Sequence, residues 1–66
     1  MIEIKSDDLR RQVLNAHRFD VSHGKLVDSS SGQFTGNFFH ETYEFNGKVR
    51  TYYFDGSVLF GYEDKE

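Results

Sequence analysis

The chain has 66 residues, which is too short for more than one domain, so we predict a single domain over residues 1–66. It contains no cysteine, which excludes a disulfide framework and a cysteine-ligated zinc site. Its formal net charge of -3 is small and argues against sequence-blind attachment to nucleic-acid phosphates.

The first third of the chain is patterned as a short strand followed by a helix. The alternating segment IEIK at residues 2–5 predicts the strand, and Ser6 followed by Asp7 and Asp8 predicts a helix N-terminus near Asp7. One side of this helix is apolar and is expected to pack on the core. Its residues are Leu9, Val13, Leu14 and Ala16.

Residues 19–27 leave two alternatives open. The segment RFDVSHGKLVD alternates around His23 and Gly24, which is typical both of a small hairpin and of a helix that ends at a glycine. The sequence alone does not choose between a hairpin and a longer helix.

From Lys25 onward, closely spaced turn signals predict an antiparallel meander. They are SSSG at 29–32, GN at 36–37, NG at 46–47 and DG at 55–56. Asn-Gly and Asp-Gly favour tight hairpins because these residues tolerate positive φ, and strands are expected near 38–45, 48–54 and 57–62. The whole pattern predicts an α+β fold with one N-terminal helix packed on a small antiparallel β-meander of about four to five strands.

Strand register predicts which side chains face the helix. Two-residue loops at both later turns would send Phe39 and Tyr43 away from the apolar face of the last hairpin. One three-residue loop with a glycine bulge, at either 46–47 or 55–56, would shift the register and bring both rings onto that face. The face that we expect the helix to cover carries Val49, Thr51, Tyr53, Val58, Phe60 and Tyr62.

The opposite face then carries rings between basic side chains and is the predicted partner-binding surface. Exposed apolar patches on small domains usually mark protein interfaces, while rings flanked by Lys and Arg also suit single-stranded nucleic acid. Tyr52→Ala is therefore expected to weaken partner capture at an unchanged melting temperature, and Tyr53→Ala to destabilise the fold. The residues assigned to this surface are Phe38, His40, Lys48, Arg50, Tyr52 and Phe54.

The sequence offers no convincing metal or catalytic site. His17 and His23 would point about 120° apart on a helix, so with Asp20 they could bind a metal only in a loop. There is no Cys nucleophile, no serine elbow and no phosphate-cradling glycine loop. A nuclease-like set does not converge in the predicted register, which turns Glu41 away from its other members, His40, Lys48 and Arg50.

Two short segments, DGSVLFG at 55–61 and GQFTG at 32–36, resemble fragments of the glycine-aromatic hairpin units called MORN repeats. The resemblance covers only a few residues in each copy. Gly32 and Gly36 are four residues apart whereas Gly56 and Gly61 are five apart, and Leu59 stands where the repeat has Tyr. No function is transferred from this resemblance.

The pattern as a whole favours a non-enzymatic protein-interaction or regulatory module without a cofactor. A small RNA- or single-stranded-DNA-binding domain is the alternative, and a metal-dependent or nuclease-like enzyme is a distant third. Without cysteine, an export signal or about 18 consecutive apolar residues, the chain is expected to be soluble and cytoplasmic, with no membrane association. A homodimer is also expected, because a second buried face would add stability to so small a core.

Overall fold

The computed structural model describes residues 1–31 and 37–65 and confirms the α+β prediction of a helix packed on an antiparallel sheet. The sheet has five strands in the order β1-β5-β4-β3-β2, so β2 to β5 form a meander and β1 joins its far edge. The elements in chain order are β1 (Ile2–Glu3), α1 (Asp7–His23), β2 (Lys25–Ser31), β3 (Phe38–Phe45), β4 (Lys48–Asp55) and β5 (Val58–Lys65).

Helix α1 begins and ends at local capping signals. The side chain of Ser6 accepts a hydrogen bond of 3.1 Å from the Leu9 amide, as the predicted N-cap requires. At the other end the Gly24 amide donates to the Asp20 carbonyl at 2.7 Å, and a Cβ on Gly24 would lie 2.8 Å from that oxygen. The helix therefore continues to His23, and residues 19–27 do not form a hairpin.

The helix connects the two edges of the sheet. Its 17 residues extend about 25 Å, and five strands spaced about 4.8 Å apart span about 19 Å. The chain can therefore leave β1 at one edge, cross one face of the sheet as α1, and enter β2 at the other edge. This crossing covers one face of the sheet, and no helix within residues 1–31 and 37–65 covers the other.

Both later hairpins have two-residue loops, so the predicted bulge at a turn is wrong. Phe45 pairs with Lys48 across Asn46 and Gly47, whose φ values of 54° and 78° fit a tight hairpin turn. The next loop is Gly56–Ser57, one residue later than expected, because Asp55 pairs with Val58. Of the earlier turn signals, 29–31 belong to β2, and 32–36 lie outside the described residues.

The bulge lies inside β5 instead. Tyr53 pairs with Gly61 and Phe54 pairs with Leu59, so Phe60 is the extra residue. The two carbonyl groups beside the bulge are both hydrogen-bonded: Leu59 accepts from Arg10 Nε at 3.1 Å, and Phe60 accepts from the Ile4 amide at 2.9 Å. Both α1 and the segment after β1 therefore hold the bulge in place.

The core lies on the side of β4 opposite to the one predicted, whereas Phe39, Tyr43 and Tyr62 lie on the helix side as predicted. Tyr52 is 0% exposed and Leu59 is 1% exposed beneath the helix, whereas Val58 is 49% exposed on the uncovered side. The prediction failed because the bulge was assigned to a turn, which inverted the side of β4 that faces the helix. The buried apolar cluster consists of Ile4, Val13, Tyr43, Tyr52, Phe54 and Leu59, with Leu9, Leu14, Phe39 and Tyr62 packed against it.

Neighbouring residues of β5 should differ sharply in their effect on stability. Leu59→Ala should lower the free energy of unfolding by about 2–5 kcal/mol, because it empties a buried site. Val58→Ala should change it by less than about 0.5 kcal/mol, since this side chain is exposed. Urea unfolding followed by circular dichroism measures both, and equal losses would contradict the observed register.

The observed burial also reverses the expected effects of substituting Tyr52 and Tyr53 on stability. Tyr52→Ala should destabilise the fold by about 3–5 kcal/mol, because it removes a fully buried ring. Tyr53→Ala should cost clearly less, since Tyr53 is half-buried on the uncovered side. Their melting temperatures provide the comparison, and a lower value for Tyr53→Ala would restore the original prediction.

Candidate functional site

The side of the sheet that faces away from α1, here called the uncovered face, carries a cluster of exposed and half-buried apolar side chains. Phe38 is 43% exposed and lies edge-on to Phe60 at 5.6 Å, with Tyr53 on the other side of Phe60 at 6.5 Å. Met1 crosses this face above Gly61, where a Cβ would come within 2.5 Å of its sulfur. We call Met1, Phe38, Tyr53, Val58 and Phe60 the ring patch.

Carboxylates surround the ring patch. Asp55 is the cross-strand partner of both Phe38 and Val58, and Glu63 accepts a hydrogen bond of 3.1 Å from the Tyr53 hydroxyl. Glu3 lies opposite Gly61 at the β1 edge. By register, the lysines on this face stand at the other end of the sheet, Lys25 opposite Glu44 and Lys65 opposite Val49. Two of these carboxylates have cations nearby, since Glu63 lies 4.0 Å from the Met1 ammonium and Glu3 lies 3.9 Å from Lys5 Nζ. The ring patch is therefore apolar with a rim that, among the described residues, is net acidic, three carboxylates against two cations.

His40 bridges the ring patch to strand β2. Its Nδ1 lies 2.9 Å from Ser30 Oγ, and its Nε2 lies 3.0 Å from Asp28 Oδ2. These three residue types also perform nucleophilic catalysis in serine hydrolases. Here the Asp28 side chain is 65% exposed, so water screens its charge and weakens any activation of the serine. The arrangement is a cross-strand hydrogen-bond network that ties β2 to β3.

A second polar network lies between α1 and the sheet. Glu41 Oε1 lies 2.9 Å from His17 Nε2 and accepts a 3.0 Å hydrogen bond from the Tyr43 hydroxyl. The His17 ring also packs edge-on against Tyr43, Tyr52 and Phe54, with centroids 4.9 to 5.7 Å apart. Sequence reasoning missed this pairing because His17 and Glu41 are 24 positions apart and share no local motif.

The tyrosines of this interface are held in their neutral form. Burial, then the hydrogen bond to Glu41 and the charges of Glu41 and Asp20, raises the pKa of Tyr43 to about 12. Burial also raises the pKa of Tyr52, and its 2.5 Å hydrogen bond to Asp20 Oδ2 acts in the same direction. Both hydroxyl groups therefore act as donors to carboxylates rather than as bases.

A groove of about 470 Å³ opens on the helix side, beside the Asn46–Gly47 turn. Asp64 pairs with Arg50 through two hydrogen bonds at its wall and raises the pKa of that guanidinium further. Phe19 and Phe45 meet edge-on there, with centroids 4.9 Å apart. We call this feature the helix-side groove, and its principal lining residues are Ala16, Phe19, Asp20, Phe45, Lys48 and Arg50.

The six residues assigned to partner binding do not share one surface. Phe38 and His40 lie on the uncovered face, and Lys48 and Arg50 line the helix-side groove. The prediction that Tyr52 and Phe54 are exposed is wrong, since both are buried in the core. A partner-binding surface on this sheet must therefore consist of other residues.

The polar sets considered from the sequence also separate. His17 and His23 both belong to α1, where His17 contacts Glu41. Glu41 shares the helix side with Lys48 and Arg50, while His40 lies on the uncovered face, so these four do not form one nuclease-like site. Within residues 1–31 and 37–65, no group of three or more His, Asp or Glu side chains is placed to hold a metal ion.

Comparison with known proteins gives no relative from which a function could be transferred. No family model, no curated protein and no solved structure matches this chain. In the part of the chain that the structure describes, no helix is both long enough and apolar enough to cross a membrane. The function of this chain is therefore inferred from the geometry of the ring patch and the helix-side groove.

Stability should fall at alkaline pH through Tyr43. Its pKa rises from about 10 in the unfolded chain to about 12 in the fold, so the neutral form stabilises the protein fully below about pH 10. That contribution is lost as the pH rises through about 12. In Tyr43→Phe, the free energy of unfolding from urea titrations should decline less steeply above pH 10. Identical slopes for the variant and the wild type would contradict this assignment.

Proposed function

We propose that the protein is a non-enzymatic interaction module that binds a protein partner through the ring patch. The observation behind the proposal is a set of packed yet exposed apolar side chains on one sheet face, including Phe38 and Val58. No element in residues 1–31 or 37–65 covers them, because α1 lies on the other side. Exposed apolar clusters with a polar rim are typical of protein interfaces, and aromatic side chains are common anchors there.

The acidic rim defines the chemistry of the partner. Asp55, Glu63 and Glu3 outnumber the two cations at the rim, the Met1 ammonium and Lys5, while Lys25 and Lys65 lie at the far end of the face. A complementary surface has an apolar centre that fills the space between the rings and Lys or Arg side chains around it. Two copies docked patch to patch would bring their carboxylates together, so this surface favours a different protein over the homodimer.

The same geometry makes nucleic acid a weaker candidate. The interpretation as a single-strand binder needed Lys48 and Arg50 between exposed rings, where they would neutralise phosphates. Both residues line the helix-side groove, and carboxylates take their place around the ring patch. A protein partner with basic residues therefore accounts for the surface better, and a cytoplasmic location stays a prediction.

Site-specific photo-crosslinking tests the proposal. A benzoylphenylalanine at position 38 or 58 should form one defined adduct with a host protein, whereas the same group at Arg18, on the exposed side of α1, should not. Adduct formation should be inhibited by excess wild-type protein. Equal labelling from position 18, or no adduct from either patch position, would contradict an interface at the ring patch.

The same adducts identify the occupant by mass. An adduct with a different protein supports the proposal, and an adduct with a second copy replaces it with a homodimer. An adduct with RNA or DNA contradicts it in favour of the alternative. Light scattering of the unlabelled chain measures its mass in solution and checks the homodimer independently.

Binding should depend on salt through the acidic rim. Once the partner is identified, Asp55→Asn and Glu63→Gln should each slow association and reduce its dependence on ionic strength, because charge steers the encounter of complementary surfaces. Asp8→Asn is the matched control, since Asp8 is exposed in the first turn of α1. Stopped-flow association rates at several salt concentrations measure the effect, and equal rates for all three variants would contradict an acidic docking surface.

A further inference from the structure

The helix-side groove combines an aromatic wall with a neighbouring ammonium group. Phe45 and Lys48 are direct cross-strand partners that flank the Asn46–Gly47 turn, so their side chains project to the same side of the sheet. The ring of Phe19 in α1 packs edge-on against Phe45 and is itself 46% exposed. The groove thus has an accessible pair of rings beside a positively charged side chain.

One cation of the helix-side groove, Lys48, has no carboxylate partner among the described residues. Asp20 accepts a hydrogen bond from the Tyr52 hydroxyl, and Asp64 accepts one from the Arg50 guanidinium. Both lining carboxylates therefore already have a hydrogen-bond donor. Among the described residues, no carboxylate lies within 4.0 Å of Lys48, whereas Arg50 is already paired. An added anion at Lys48 would complete the charge complementarity.

We propose that the helix-side groove binds a small aromatic anion, a planar ring that carries one carboxylate or phosphate group. The ring lies against Phe19 and Phe45, and the anionic group lies at Lys48. A volume of about 470 Å³ lies within the range of small-molecule sites, which are typically apolar with a few placed polar groups. This site is separate from the ring patch, because the two lie on opposite faces of the sheet.

Phenyl phosphate is a suitable probe, and amide chemical shifts of the ¹⁵N-labelled protein report where it binds. Saturable shifts should appear at residues 19, 45 and 48 and not at residues 38 and 58 of the ring patch. Inorganic phosphate lacks the ring and benzyl alcohol lacks the charge, so each should bind more weakly than phenyl phosphate. Benzoate distinguishes the anionic groups: tighter binding than phenyl phosphate assigns a carboxylate, and weaker binding assigns a phosphate.

Two substitutions separate the roles of charge and ring. Lys48→Met keeps the length of the side chain and removes its charge, and it should weaken phenyl phosphate binding about threefold to fivefold, as expected for an exposed ion pair. Phe19→Ala removes one exposed wall and should weaken binding of the aromatic probe while leaving that of inorganic phosphate unchanged. Lys25→Met, on the uncovered face, is the matched control and should bind like the wild type.

Three results would overturn the inference. They are the absence of saturable shifts in the groove, binding of inorganic phosphate as tight as that of phenyl phosphate, and equal weakening by Lys48→Met and Lys25→Met. Each variant must first give the dispersed amide spectrum of the wild type, which shows that it is folded. Partner binding at the ring patch is measured separately, so either proposal can fail without the other.

Discussion

One extra residue in β5 determines the chemistry of both faces of the sheet. Side chains alternate along a strand, so without the bulge Gly61 would lie beneath the helix and Tyr62 would point away from it. The extra position at Phe60 instead places both Leu59 and Tyr62 on the helix side. It also leaves Gly61 on the uncovered face, where Met1 lies above it. The core and the ring patch thus depend on the same irregularity.

The two faces use their polar groups differently. On the helix side, Glu41 of the sheet forms hydrogen bonds with His17 and Tyr43. Asp20 of the helix accepts a hydrogen bond from Tyr52, so these two carboxylates fix the position of the helix on the sheet. No described buried side-chain nitrogen or oxygen lacks a hydrogen-bond partner. On the uncovered face, carboxylates lie at an exposed apolar cluster, where they are accessible to another molecule. The proposed recognition by shape and charge depends on this division.

Local signals were sufficient to predict most of the secondary-structure elements but not which face of the sheet their side chains lie on. Ser6 and the Asn46–Gly47 turn each act within a few residues, so the start of the helix and the strands on either side of this turn were predicted close to their observed bounds, whereas the end of the helix was left open. A bulge inside a strand has no comparable local signal. Because it was assigned to a turn, the wrong side of β4 was expected to face the helix. The strict two-residue loop at 46–47 had already placed Phe39 and Tyr43 on the side of Tyr52 and Phe54. Over β3 and β4 this loop places five Phe or Tyr rings on the helix side and two on the other, which indicates the core. The His17–Glu41 contact and the helix-side groove depend instead on packing between distant segments.

The pairing of β1 with β5 also bears on how the protein resists force. Ile2 lies opposite Tyr62 and Glu3 opposite Gly61 in an antiparallel pair, so Met1 and Lys65 leave the sheet from the same end of these strands. Tension applied between them loads the β1–β5 hydrogen bonds one after another rather than together. Strand β1 should therefore peel away first, and its detachment releases the Ile4 amide from the bulge and removes the Ile4 side chain from the core. A chain under tension at its ends would open by unzipping at low force, starting at the edge that anchors the bulge.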